Sequence, residues 1–257
     1  MQRSEKLIIN GNPRSPVAES YKTLRTNLQY LSFDNSLKSI IVTSCSPGEG
    51  KSTTAANLAI SIAQTGKKVL LIDCDLRKPA IHKTFNIVNM MGLTNILSEG
   101  IDYREITNDV GEEDLRIITS GPKPPNPSEL LGSDRMEFFL DAAKEEYNMV
   151  ILDTPPLLPV TDASVLSRMA DGIILVLKYG ETTTEAATIA KAQLDKVGAR
   201  ILGAIINGIP TKGNNYYYNN YYYYYYDDDS GNRKKHKSKK KGKSLNTVSI
   251  RGSESNV

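Results

Sequence analysis

The stretch SCSPGEGKSTT, Ser44 to Thr54, constrains what this 257-residue chain can fold into more than any other. It follows the apolar run SIIVTSC and leads into an alanine-rich segment, so it reads as a strand, a glycine turn and a helix start. Gly48 and Gly50 let the backbone turn its N–H groups inward, Lys51 adds a cation, and Ser52 offers a hydroxyl to a metal ion. Ser46, Pro47, Gly48, Glu49, Gly50, Lys51, Ser52 and Thr53 together form a cradle for the phosphates of a nucleotide. Cys45 stands where the pattern G-x-x-x-x-G-K-[ST] has its first glycine. The competing account, a glycine turn that packs a helix on a sheet, leaves Gly-Lys-Ser at a helix start unexplained.

Apolar runs with the look of buried parallel strands surround this loop. KKVLLIDCD closes on Asp73 and Asp75, NMVILDTPP closes on Asp153, and GIILVLKY, ILGAIING and LRIITSG add three more. A helical segment from about Thr182 to Val197 separates two of them. The alternation predicts an α/β fold of P-loop type, a mostly parallel sheet with helices on both faces and ligands at the carboxyl ends of the strands. Phosphoryl transfer from a nucleotide mainly needs positioned phosphates and neutralised charge. Lys51 and the loop amides meet the first need, and Ser52, Asp73 and Asp153 are the candidate magnesium ligands. Three carboxylates so close repel one another, which itself argues for a cation. Asp75, two residues past Asp73 and on the same strand face by period-two geometry, is left to meet an acceptor.

The organisation changes at both ends of this pattern. Turn signals such as Asn12-Pro13 and Ser15-Pro16 mark residues 1–16 as an irregular leader. Val17, Tyr21, Leu24, Leu28 and Leu31 then fall on one helical face, and Glu19, Lys22 and Arg25 lie off that stripe as a solvated charged face. The nucleotide domain spans 17–211. Beyond it, 212–257 holds nine of the 14 tyrosines, at 216–218 and 221–226, and a basic block at 233–243. This segment has few aliphatic residues to bury and is predicted to be disordered. Residues 1–211 carry 22 Lys and Arg against 25 Asp and Glu, whereas the tail carries 10 against 4. No apolar run approaches the roughly 18 residues that span a bilayer, and MQRSEKLIIN has no secretory core, so a cytoplasmic location is expected. Cys45 and Cys74 make no disulfide framework and read as small packing residues.

Taken together, SPGEGKST, LLIDCDLRKPAIHKTF, NPSELL at 126–131, VILDTPP and the tyrosine tail resemble the bacterial protein-tyrosine kinases, specifically the stand-alone cytoplasmic kinase subunit of a capsule or exopolysaccharide system. The resemblance covers roughly residues 17–210 plus the tail. It implies ATP and Mg2+ as cofactors, Lys51 on the phosphates, and Ser52, Asp73 and Asp153 serving the metal. Asp75 would act on the incoming tyrosine hydroxyl, and Arg77 would help neutralise phosphate charge. Tyr216, Tyr217, Tyr218, Tyr221, Tyr222, Tyr223, Tyr224, Tyr225 and Tyr226 become the phosphoacceptors, presented to a neighbouring subunit. Glu19, Lys22 and Arg25 correspond to a Glu-x-x-Arg-x-x-Arg motif that holds subunits in a ring, with lysine at the middle position. The implied partners are a transmembrane activator or adaptor that recruits the kinase to the inner face of the plasma membrane, other tyrosine-bearing proteins, and a cognate phosphotyrosine phosphatase.

Two other functions compete. A ParA/MinD-type ATPase switch shares the fold, but carries a second lysine before the loop glycines where this chain has Ser46. A binding module would use the eight Lys and Arg of 233–243 on nucleic acid or anionic lipid. No base-reading motif accompanies them, so nucleic acid is not the expected partner.

Overall fold

The structure, a computed structural model, describes residues 7–31, 37–112 and 114–210. The tyrosine cluster and the basic block lie outside the described residues. In chain order the helices are α1 Ile8–Gly11, α2 Pro16–Leu31, α3 Lys51–Ala63, α4 Ile81–Phe85, α5 Leu93–Glu99, α6 Tyr103–Ile106, α7 Pro127–Leu131, α8 Asp134–Glu146, α9 Asp162–Leu166 and α10 Thr184–Lys196. The strands are β1 Ser39–Ser44, β2 Val69–Asp73, β3 Asn108–Asp109, β4 Leu115–Ile118, β5 Met149–Asp153, β6 Gly172–Lys178 and β7 Ile201–Asn207. They form one sheet in the order β3-β4-β2-β5-β1-β6-β7, parallel throughout except for the two-residue β3.

Period-two alternation assigns each strand's side chains to two cores. Ile40, Val42, Val69, Leu71 and Ile151 face one core, together with residues of α1 to α4. Ile41, Leu70, Ile72, Val150 and Leu152 face the other, with residues of α5 to α10. The continuous apolar runs of the sequence are therefore strands covered on both faces, as expected, except ILGAIING, whose strand β7 ends the sheet and is buried nowhere along its length, because an edge strand has a neighbour on one side only. Helix α3 is buried almost all round, Thr54, Asn57 and Ser61 included, because it is enclosed between the sheet and α2.

Three features depart from the sequence reading. The leader is not irregular throughout. From Leu7 it makes one helical turn, buries Leu7 and Ile9, and donates Ile8 N–H to Asn57 Oδ1 at 2.9 Å, because two apolar residues beside a buried amide outweigh the neighbouring turn signals. On α2 the buried residues are Ala18 and Leu28, while Val17 and Leu31 are exposed. Arg25 sits on the inward side and donates to Ser61 O at 2.6 Å. Helix α8 has no counterpart in the sequence reading, although Ser133 caps it and Met136, Phe139, Leu140 and Ala143 are spaced as one buried helical face. Among the described residues no helix is long and apolar enough to cross a membrane.

Candidate functional site

The site is assembled at the carboxyl ends of three adjacent strands, β2, β5 and β1. After β1 the chain turns through Gly48 at φ +84° and Gly50 at φ +97°, left-handed conformations that side chains other than glycine adopt at a penalty. A Cβ on Gly50 would also lie 2.0 Å from Asn207 Nδ2, so a larger residue here would displace the Asn207 side chain as well as strain the backbone. Cys45 has no positive φ and is fully buried in the apolar core, so the loop does not need the glycine that the pattern places there. Burial, and then the Glu49 charge, pushes the Cys45 thiol up to about 11, while Cys74 is raised by burial and nearby carboxylates. Both are packing residues, as expected.

The loop is fastened from outside. Ser46 N–H donates to Glu49 Oε2 at 3.0 Å, and the Thr182 hydroxyl donates to Glu49 Oε1. Asn207 Nδ2 donates to Glu49 O at 3.0 Å. Glu49 is buried and serves as a latch joining the loop to the ends of β6 and β7. Pro47 and Gly48 are exposed at the turn, and Lys51 opens α3, whose unpaired first amides and dipole favour an anion. Ser52 and Thr53 follow in the first turn, half-buried.

Lys51 is the centre of charge. Its Nζ lies 2.8 Å from Asp75 Oδ2, 3.7 Å from Asp153 Oδ1 and 3.3 Å from Ser52 Oγ. Burial works against the ammonium, but the carboxylates of Asp153 and Asp75 outweigh it and hold the amine above its usual range. Asp73 and Asp153 end neighbouring strands as register partners, and both are fully buried. Burial, reinforced by the Asp153 charge, raises the Asp73 carboxyl to about 7. Asp153 is also raised by burial, against the pull of Lys51.

The three acids are not equivalent. Asp73 Oδ2 accepts the amides of Ala80 at 3.0 Å and Ile81 at 2.9 Å, and Oδ1 accepts that of Asp75 at 3.2 Å, so its oxygens are engaged in shaping the segment that follows. Asp153 accepts no hydrogen bond at either oxygen. Two buried carboxylate oxygens that lack a hydrogen bond, with only Lys51 at 3.7 Å and the Ser52 hydroxyl to favour their charge, suit a hard cation. Among the described residues no group of three or more His, Cys, Asp or Glu side chains is placed to hold a metal ion. Asp75 is not left free. β2 ends at Asp73, so the period-two argument does not reach Asp75; a turn brings it to Lys51, and its Oδ1 accepts Lys78 N–H at 2.9 Å.

Arg77 departs furthest from expectation. It forks onto Asp162, with Nε to Oδ2 at 2.9 Å and Nη2 to Oδ1 at 3.0 Å, and Nη2 also donates to Ser128 Oγ at 2.9 Å. Ser128 and Asp162 were not singled out from the sequence, although NPSELL contains the one and an acid at a helix start marks the other. Glu19, Lys22 and Arg25 are engaged within the chain, through the 2.9 Å Lys22–Glu19 pair and the Arg25–Ser61 bond.

The AAA-domain family model matches residues 37–202. The tyrosine-protein kinase YwqD of Bacillus subtilis (strain 168) is 48% identical over 208 residues, 81% of this chain and 87% of that protein. Among solved structures, the kinase domain of the Escherichia coli tyrosine kinase ETK superposes with a TM-score of 0.79 at 34% identity, covering 83% of this chain and 84% of that one. The chimerical protein CapA2B2 superposes at 0.77 and 38% identity, covering 82% and 92%.

Proposed function

This chain belongs to the bacterial tyrosine-protein kinases, and from that premise we propose that it is an autokinase. It transfers the γ-phosphoryl group of ATP to the tyrosines at 216–218 and 221–226 of a neighbouring subunit. The observation that carries this reading is the convergence of Lys51, Asp75 and Asp153 behind a glycine loop at adjacent strand ends. The acceptor hydroxyl oxygen forms the new bond to phosphorus, the bond to the oxygen of the leaving ADP breaks, and the phenolic proton passes to Asp75. Lys51 and the first amides of α3 neutralise the phosphate oxygens. As phosphate takes over Lys51, its pairing with Asp75 weakens and that carboxylate becomes the base. Asp153 and Ser52 would hold magnesium, which supplies further neutralisation of phosphate charge when bound. Asp73 supports them through the turn that carries Asp75.

Nine tyrosines close together on one tethered segment make acceptor selection a matter of effective concentration, so several equivalent tyrosines suffice. We further assign the kinase to the control of capsular or extracellular polysaccharide synthesis. It would be recruited to the inner membrane face by a transmembrane activator and would assemble through the α2 helices. The ATPase-switch alternative has only the shared fold in its favour. Incubating the full chain with ATP and magnesium, with and without an activator's cytoplasmic segment, and detecting phosphotyrosine separates the two. Label that disappears when the nine tail tyrosines become phenylalanine is expected; ATP hydrolysis without any phosphotyrosine would establish the switch.

A further inference from the structure

The Arg77 fork is a closed triangle of side chains. The guanidinium donates to both oxygens of Asp162 and to Ser128 Oγ, and the Ser128 hydroxyl donates in turn to Asp162 Oδ1. Its members come from three segments: the turn after β2, the start of α7 and the start of α9. The Asp162 side chain is 0% exposed, so its charge is tolerated only while the fork is intact. Arg77 stands two residues past Asp75, and Asp162 nine residues past Asp153 on the chain that leaves β5. The fork therefore joins the two segments that carry the site's carboxylates. A bidentate guanidinium–carboxylate pair fixes direction as well as distance, which a lysine would not do.

We propose that Arg77 is a positioning residue, whose fork onto Asp162 and Ser128 holds the Asp75 turn against Lys51, and that it does not serve as a phosphate ligand. The proposal rests on the phosphotransfer reading for its catalytic consequence, and on geometry alone for its structural one. The competing role would use Nη1, which has no partner among the described residues.

The test uses the full chain as wild type, Arg77→Lys, Asp162→Asn, the double variant and the milder Ser128→Ala, each confirmed folded by thermal melting. Three quantities are read: hydrogen exchange across residues 74–80, affinity for a fluorescent ADP, and the single-turnover rate of phosphotransfer to the tail. Either single variant should speed exchange at the Asp75 and Lys78 amides about tenfold, because both bonds belong to the turn. The rate should fall at least about tenfold with ADP affinity changed less than about twofold. The double variant should be no slower than the worse single one, since either change breaks the same fork. Ser128→Ala, which keeps the ion pair, should show the same pattern more weakly and serves if the others do not fold. In a further variant, Arg77→Ala, methylguanidinium should partly restore the rate and methylammonium should not. Unchanged exchange in Arg77→Lys and Asp162→Asn overturns the proposal, as does a large loss of ADP affinity in Arg77→Lys alone, which would put Arg77 on the phosphates. A wild type that never labels its tail, with or without an activator's cytoplasmic segment, refutes the kinase reading instead, and the exchange measurement still decides the fork.

Discussion

Lys51 and Asp153 carry the site's opposing demands. Asp153 is a buried carboxylate with no hydrogen bond, 3.7 Å from its nearest cation, and such a group destabilises a fold unless a ligand uses it. Asp153→Asn should therefore abolish phosphotransfer by roughly a hundredfold or more while stabilising the metal-free protein by about 1–3 kcal/mol at pH 8. The pH dependence has a definite sign. Asp73 holds its proton more tightly in the folded state, up to about 7 against 3.8, chiefly through burial and the Asp153 charge. Its contribution favours the fold below the ordinary carboxyl value and is lost as pH rises through that window. Removing the Asp153 charge lowers the Asp73 pKa, so the gain in Asp153→Asn should be larger at pH 8 than at pH 5. Urea unfolding in EDTA at the two pH values measures this, and a variant less stable than wild type at pH 8 would contradict it. Lys51→Met should lose phosphotransfer to a similar degree, read by phosphotyrosine detection.

At the scale of elements, the glycine loop is a part held in place by others. Gly48 and Gly50 both need positive φ, but only Gly50 is pressed against a neighbour, Asn207. Gly48→Ala should cost about 1 kcal/mol of strain, and Gly50→Ala more, about 2–3 kcal/mol, because it also displaces the Asn207 latch. Nucleotide affinity should follow the same order. Equal effects in thermal melts and titrations would show that Asn207 is a bystander. Strands β1, β2, β4, β5 and β6 were legible in the sequence because each is a short apolar run covered on both faces, and β7 because its run is apolar even though it lies at the sheet edge and is only partly covered. The loop was legible because its glycines and lysine have few other uses. What the sequence did not disclose is how long-range pairing apportions charges. Arg77 and Asp75 look alike as polar residues in a turn, yet one finds Asp162, 85 positions away, and the other finds Lys51. The α1 turn and β3 were missed for a different reason, since so few residues set no periodicity and tertiary contact alone decides them.

For the molecule as a whole, the nucleotide domain and the tail divide the charge. The tail carries 10 Lys and Arg against 4 acids, and each phosphotyrosine adds about −1.5 to −2, so three or four would cancel its excess. Fully phosphorylated tails should repel and loosen an oligomer. Light scattering should give a smaller particle for phosphorylated protein than for a variant with all nine tail tyrosines replaced by phenylalanine, and equal sizes would remove this form of regulation. The central claim, that the strand-end site acts on the tyrosine tail of another copy, is tested most directly by mixing. Lys51→Met protein with an intact tail is incubated with ATP, magnesium and an active copy whose nine tail tyrosines are phenylalanine, and phosphotyrosine is mapped by mass spectrometry. Phosphate on Tyr216–Tyr218 and Tyr221–Tyr226 of the Lys51→Met chain, and none when that chain is incubated alone, is the predicted result. An unlabelled Lys51→Met tail beside a wild-type protein that labels its own would contradict transfer between copies, and labelling of Lys51→Met protein by itself would contradict the site.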